Sequence, residues 1–258
     1  MLTNCKISTA ESAGFCFGVD RAVKIVYNIL DTHRTVVTLG PIIHNPDVVA
    51  DLESKGVYAI NSLDELNPEQ TVVIRSHGVS QQVSDTLTEK GNTVIDATCP
   101  FVARIHKIVA EKSSEGYAIL IAGDANHPEV EGITGHSKTD TFVFKDVDEL
   151  GNIFSKNEEK FKTKVAIIQQ TTYNIILWEQ CKTYINNHLP HAEIFDTICN
   201  ATLVRQAEAI ELAEKSDVML IVGGKHSSNT IKLKNVCEKY CRCYHIENAS
   251  EIDNIDFL

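Results

Sequence analysis

Cys16, Cys99 and Cys199 stand far apart in this 258-residue chain, yet each is followed by the same arrangement. A helix-forming stretch comes next, then an apolar strand, then a loop containing glycine. The residue 28 positions after each cysteine is polar and lies in that loop: His44, His127 and Ser227. A deprotonated thiol is a soft metal ligand, and imidazoles and hydroxyls donate hydrogen bonds to anions. Three thiolates meeting at one point admit two centres. One is zinc with three sulfurs and an open position. The other is an iron–sulfur cluster, whose cube ordinarily takes four thiolates, so that three would leave one iron open to substrate. A single cysteine at a strand end is ordinarily a packing residue; its recurrence at equivalent places favours a shared metal role.

The polar loops form a second set. His44, His77 and His127 follow apolar strands and stand beside proline or glycine, and Ser227, Ser228 and Asn229 occupy the third loop. With the helix N-termini beside them they suit a phosphate or diphosphate, and imidazolium charge near neutral pH would help. Glu129 lies two residues after His127; a carboxyl buried near negative charge has its pKa raised and can deliver protons. Glu131 is its rival, one residue off that face. Gln170 and Thr171 occupy a further loop of the same kind. Cys237, Cys241 and Cys243 are the tightest cysteine group, but C-x3-C-x-C matches neither zinc-ribbon nor ferredoxin spacing, and a helix-to-strand transition would point these side chains apart. Cys5 and Cys181 read as packing residues. His33, His106, His188, His191 and His245 have no place in the repeat, and His136 and His226 are out of phase with it.

The elements that must position these groups repeat as well. The strands RTVVTL, YAILIA and DVMLIV precede the three polar loops, and VYAINSLDEL, TFVFKDVDEL and CYHIENASEI follow them. TVVIRSHGVS and KVAIIQQTTYN add a strand and a loop to the first two copies, and NTVIDAT and EIFDTI lead into Cys99 and Cys199. Alternating short strands and helices imply parallel α/β units that carry ligands at the carboxyl ends of their strands. The expected fold is α/β: three similar small units with parallel sheets, in pseudo-threefold arrangement around a central cavity. The units are 17–98, 99–198 and 199–258, the last packed with 1–16. His77 lies 61 residues past Cys16, and the same offset from Cys199 falls beyond Leu258, so the third unit is expected to lack its final strand and loop, with weaker folding and weaker diphosphate binding.

Composition bounds the partners. A formal charge of −11, from 24 basic and 35 acidic residues, argues against nucleic acid or an anionic membrane. No apolar run spans a bilayer and the N-terminus has no signal pattern, so a cytosolic protein with reduced cysteines is expected.

The stretches GFCFGV, GPIIHNPDVV, SHGVS, IDATCPFV, NHPEVEG, QQTT, ICNATLVRQ and KHSSN resemble those of the 4-hydroxy-3-methylbut-2-enyl diphosphate reductases, the last enzymes of the non-mevalonate isoprenoid pathway. They run in order from Cys16 to Asn229. The resemblance implies three α/β domains around a 4Fe–4S cluster held by Cys16, Cys99 and Cys199; whether air exposure leaves four irons or a 3Fe–4S form is open at this point. It implies that His44, His77, His127, Ser227, Ser228 and Asn229 hold the diphosphate. Glu129 would be the proton source, and Thr171 the hydroxyl that steers substrate and proton. Electrons would come from a ferredoxin or flavodoxin type donor. A zinc-dependent hydrolase or lyase on a phosphorylated metabolite, and a non-catalytic iron–sulfur sensor, are the competing readings.

Overall fold

The computed structural model describes residues 6–32 and 35–255; Cys5 and His33 lie outside the described residues. The first unit runs α1 (Phe17–Ile29), β1 (Val36–Leu39), α2 (Pro46–Ser54), β2 (Val57–Ile60), β3 (Thr71–Ile74), α3 (Gln81–Glu89) and β4 (Thr93–Asp96). The second runs α4 (Pro100–Ser114), β5 (Ala118–Ala122), α5 (Pro128–Thr134), β6 (Thr141–Phe144), α6 (Val147–Asn157), β7 (Val165–Gln169), α7 (Ile175–His188) and β8 (Glu193–Ile194). α8 (Asn200–Ala213), β9 (Val218–Val222), α9 (Ser228–Cys237) and β10 (Arg242–Ile246) make the third. The sheets are ordered β2-β1-β3-β4, β6-β5-β7-β8 and β10-β9, and every pairing is parallel.

Strand order decides where a ligand can sit. The chain leaves β1 toward β2 and returns on the other side to β3, so the crossover direction reverses between β1 and β3. It reverses again between β5 and β7. Loops at the carboxyl ends of strands diverge at such points and leave a crevice. His44 follows β1, His77 follows β3, His127 follows β5 and Thr171 follows β7.

The cores follow from strands buried on both faces. In β1, Val36 packs with Ala22 and Val26 of α1, whereas Val37 and Leu39 pack on the opposite face with Leu66 and Leu87. In the second unit Leu120 and Ile167 meet Phe144, Leu150 and Trp178, while Ile119, Ile121 and Ile168 meet Ile105 and Val109 of α4. Burying each such aliphatic side chain contributes about 1.5–3 kcal/mol. The third unit packs Ala209 and Ala213 of α8 against Val236, Cys237 and Met219. The other face of β9 leaves Leu220 and Val222 exposed.

Polar contacts close the units into a ring. His136 Nε2 lies 3.0 Å from Val79 O, joining the second unit to the first. Gln206 of α8 accepts from Ile175 N at 3.0 Å and donates to Tyr173 O at 3.1 Å. Gly224 closes the third side: a Cβ there would stand 2.3 Å from His44 O, so only glycine permits this approach of the third unit to the first. The segment before α1 contains no strand among its described residues, so the strand-to-helix junction seen at Cys99 and Cys199 does not extend to Cys16. It is held by α8 instead. Arg205 donates to Ser12 O and Gly14 O at 3.0 and 2.7 Å, and Glu208 accepts from Ser12. No helix among the described residues is long and apolar enough to cross a membrane.

Candidate active site

Cys16, Cys99 and Cys199 occupy the N-cap positions of α1, α4 and α8, and none of their side chains is spent on capping. All three thiols are free and half-buried. Each therefore sits beside unpaired helix N–H groups and the positive end of the helix dipole. Cys99 N donates to Ser76 O at 2.9 Å and Cys199 N to Thr171 O at 3.0 Å, tying both cysteines to polar loops of the preceding unit. A Cβ on Gly18 would fall 2.5 Å from Cys99 Sγ, so the first turn of α1 abuts that sulfur. Burial raises the Cys99 pKa, the N–H groups of Phe101 and Val102 lower it, and the charges of Cys16 and Cys199 raise it further. The three sulfurs thus share one electrostatic neighbourhood.

Their spread is informative. Sulfurs around a single tetrahedral zinc, at Zn–S of about 2.3 Å, lie about 3.8 Å apart. Among the described residues only His44, His77 and His127 bring three candidate ligand atoms within 4.8 Å of one another. The three thiols are not among such close groups, so they are spread more widely than the ligands of one zinc ion.

The three imidazoles form a compact group, with ring centroids 4.7 Å apart for His44–His77, 5.8 Å for His44–His127 and 5.2 Å for His77–His127. His127 caps α5: its Nδ1 accepts from Glu129 N at 3.1 Å, which leaves the proton of the neutral ring on Nε2. His44 Nε2 and His77 Nδ1 are buried with no partner among the described residues. A buried polar atom left unpaired costs about 1–3 kcal/mol, so these nitrogens are available to a ligand. The expectation of imidazolium charge is corrected. Burial pushes all three pKa values down, His127 to about 4 and His77 well below the usual histidine range, with neighbouring rings and Arg75 adding to the effect.

Glu129 is 3% exposed. Its Oε1 accepts from Thr171 N at 2.6 Å and its Oε2 from Thr171 Oγ1 at 2.7 Å. Burial nevertheless dominates and raises the carboxyl pKa, with the Thr171 bonds opposing it. Ser227 caps α9, accepting from Thr230 N at 3.3 Å. Ser228 is bound to the second unit, by Gln170 Nε2 at 3.3 Å and Thr172 Oγ1 at 2.9 Å. Asn229 is half-buried on the same turn.

Other residues are placed differently from expectation. Cys241 Sγ and Cys243 Sγ lie 4.0 Å apart, and Cys237 joins them in the core of the third unit. The side chains do not point apart, because residues two apart on extended backbone share a face. Their shared burial pushes Cys243 up to about 12 and Cys237 to about 11, which suits inert packing thiols. His106 and His136, given no role, stack at 4.1 Å between the first two units, and burial takes His106 down to about 3. Cys181 is fully buried in the second core. Arg75 and Lys232 were overlooked. Arg75 precedes His77 by two residues, and Lys232 lies one helical turn past Ser228. A basic residue at the carboxyl end of a strand, directly before SHGVS, was the available signal.

Three parallel α/β units, with three mutually influencing thiols and a compact group of buried imidazoles in their loops, define the class. The family model of LytB protein matches residues 7–257, and the chain belongs to that family. It is 44% identical over 252 residues to a 4-hydroxy-3-methylbut-2-enyl diphosphate reductase of Caldanaerobacter subterraneus subsp. tengcongensis, covering 96% of this chain and 85% of the relative. Identity to the enzyme of the same description from Campylobacter hominis is 42% over 255 residues, covering 98% and 89%. Among solved structures, the (E)-4-hydroxy-3-methyl-but-2-enyl diphosphate reductase described as the terminal enzyme of the non-mevalonate pathway superposes with TM-score 0.70 at 39% identity, covering 94% of this chain and 86% of that one. The E-1-hydroxy-2-methyl-but-2-enyl-4-diphosphate reductase from Plasmodium falciparum superposes with TM-score 0.87 at 29% identity, covering 93% and 76%.

Proposed function

We propose that this chain reduces 4-hydroxy-3-methylbut-2-enyl diphosphate to isopentenyl diphosphate and dimethylallyl diphosphate, consuming two electrons and two protons and releasing water. Cys16, Cys99 and Cys199 would hold a 4Fe–4S cluster. Such a cluster supplies the electrons and, at an iron with no protein ligand, a Lewis-acid site for the departing hydroxyl. The observation that carries this reading is the trio of uncommitted N-cap thiols, spread more widely than zinc ligands, beside a pocket of buried imidazoles with unpaired nitrogens.

His44, His77 and His127, with Ser227, Ser228 and Asn229, would bind the diphosphate. The histidine trio could hold a cation by distance alone, but the charges of Arg75 and Lys232 beside it favour an anion. Glu129 would carry the proton to the substrate: its buried carboxyl has a raised pKa, so it holds a proton at higher pH than an exposed glutamate would. Thr171, bonded to both carboxyl oxygens, would fix the direction of that proton and meet the substrate hydroxyl. The electron donor is assigned to the ferredoxin or flavodoxin class.

Anaerobic turnover of the allylic diphosphate with a reduced viologen dye tests the reading. Wild-type protein should form both products. Glu129→Gln should keep the visible absorption of the cluster and lose turnover. A colourless protein that transforms the substrate without oxidising the dye would favour the zinc hydrolase or lyase, and a coloured wild type without turnover the sensor.

A further inference from the structure

We propose that Arg75 and Lys232 supply the positive charge of the diphosphate pocket, which His44, His77 and His127 serve as neutral hydrogen-bond donors. This rests on the diphosphate reading above and deepens it. Arg75 is the last residue before Ser76 and His77 in the loop after β3. Its guanidinium lies against Gly40, the first residue of the loop that carries His44: a Cβ there would stand 2.2 Å from Nη1. The guanidinium thus spans the two loops that diverge at the crossover reversal of the first unit. Its Nε is buried and unpartnered, and the side chain makes no ion pair or hydrogen bond among the described residues. Arg21 and Arg205, by contrast, are committed, the first to Thr98 O and the second to Ser12 O and Gly14 O.

Lys232 approaches from the third unit. It sits four residues after Ser228, and so on the same face of α9, where Ser228 touches Gln170 and Thr172. It has no ion-pair partner within reach among the described residues, and partial burial lowers its pKa against the pull of Asp124. The charge of Arg75 acts on all three histidines, and that of Lys232 on His127. The acids that face these cations, Glu131 for Arg75 and Asp124 for Lys232, are both exposed and so well screened.

A diphosphate carries more negative charge than a single phosphoryl group and needs cations that do not depend on pH. Buried neutral imidazoles alone could not supply them, whereas an arginine stays charged and offers a planar fork of donors. The pocket is thus built to prefer diphosphate over phosphate.

Calorimetry on cluster-loaded protein, with inorganic pyrophosphate and inorganic phosphate as probes, tests this. Arg75→Gln should weaken pyrophosphate binding about 10- to 100-fold, the loss expected of one half-buried charge-assisted contact. Lys232→Gln should weaken it about tenfold. Both should narrow the affinity ratio of pyrophosphate to phosphate, a change that misfolding or mere packing loss would not produce. Arg75→Lys, which keeps the charge, should recover part of the loss. Nitrogen NMR of the wild-type histidine rings with pyrophosphate bound should show neutral tautomers, independently of any variant. Imidazolium signals there, or an unchanged affinity ratio in Arg75→Gln and Lys232→Gln, would overturn the proposal while leaving the diphosphate reading intact. Failure of the wild type to bind either anion would overturn both.

Discussion

Thr171→Val tests the coupling of Thr171 to Glu129. The substitution keeps the shape of the side chain and removes the hydroxyl that donates to Glu129 Oε2 at 2.7 Å, while the backbone bond to Oε1 at 2.6 Å survives. Glu129 is buried, so water cannot replace the lost donor. A hydrogen bond to a charged group is worth about 1.5–3 kcal/mol, and one pKa unit corresponds to about 1.4 kcal/mol. The lost bond favoured the ionised carboxyl, so its removal raises the pKa by a further one to two units or so. The group acts as an acid and must be protonated to work. The high-pH limb of kcat should therefore move upward by about one to two pH units, even though kcat itself falls. Thr171→Ser, which keeps the donor, should leave the limb in place. The reasoning is refuted if the limb of a folded, cluster-loaded Thr171→Val enzyme coincides with that of the wild type.

Burial raises the folded-state pKa of Glu129 above that of the unfolded chain, so its contribution to stability is full below the unfolded carboxyl range and is lost as pH rises through the folded pKa. Thermal melts should accordingly show the wild type falling relative to Glu129→Gln as pH rises above the usual carboxylate range; a constant difference would deny the raised pKa. Gly18→Ala drives a Cβ to 2.5 Å from Cys99 Sγ, and iron incorporated on reconstitution should drop well below the wild-type amount. Arg205→Ala removes two hydrogen bonds that hold Ser12 and Gly14 ahead of Cys16; a loss of about 1–2 kcal/mol in denaturant melts is expected, with slower cluster uptake. Serine in place of Cys241 and Cys243 together should leave iron content unchanged, since these thiols pack in the third core; a lower iron count would make them ligands.

The residues that repeat were the legible ones. Cys99 and Cys199 precede helices in the sequence, and an N-cap leaves a side chain free to face outward from the helix end, so position and availability came together. His44, His77 and His127 were readable as loop donors because each follows an apolar strand. Their charge was not, because it depends on burial contributed by all three units. Arg75 and Lys232 stayed hidden for a related reason: their importance lies in having no partner, which only packed neighbours reveal. The Cys237 group was misread by expecting the helix-to-strand transition to point its side chains apart, when two residues of extended chain put Cys241 and Cys243 on one side. Contacts such as Gln206 with Ile175 and Tyr173, or Gly224 against His44 O, join distant segments with no shared periodicity and leave no local trace.

Iron and acid-labile sulfide should be counted after reconstitution without air, in the wild type and in Cys16→Ala, Cys99→Ala and Cys199→Ala, alongside a Mössbauer spectrum. Four irons and four sulfides in the wild type, one iron spectroscopically distinct from the rest, and loss of the centre in each variant are expected. A single zinc ion, or full iron retention after any one of these substitutions, would contradict the assignment of these thiols as cluster ligands.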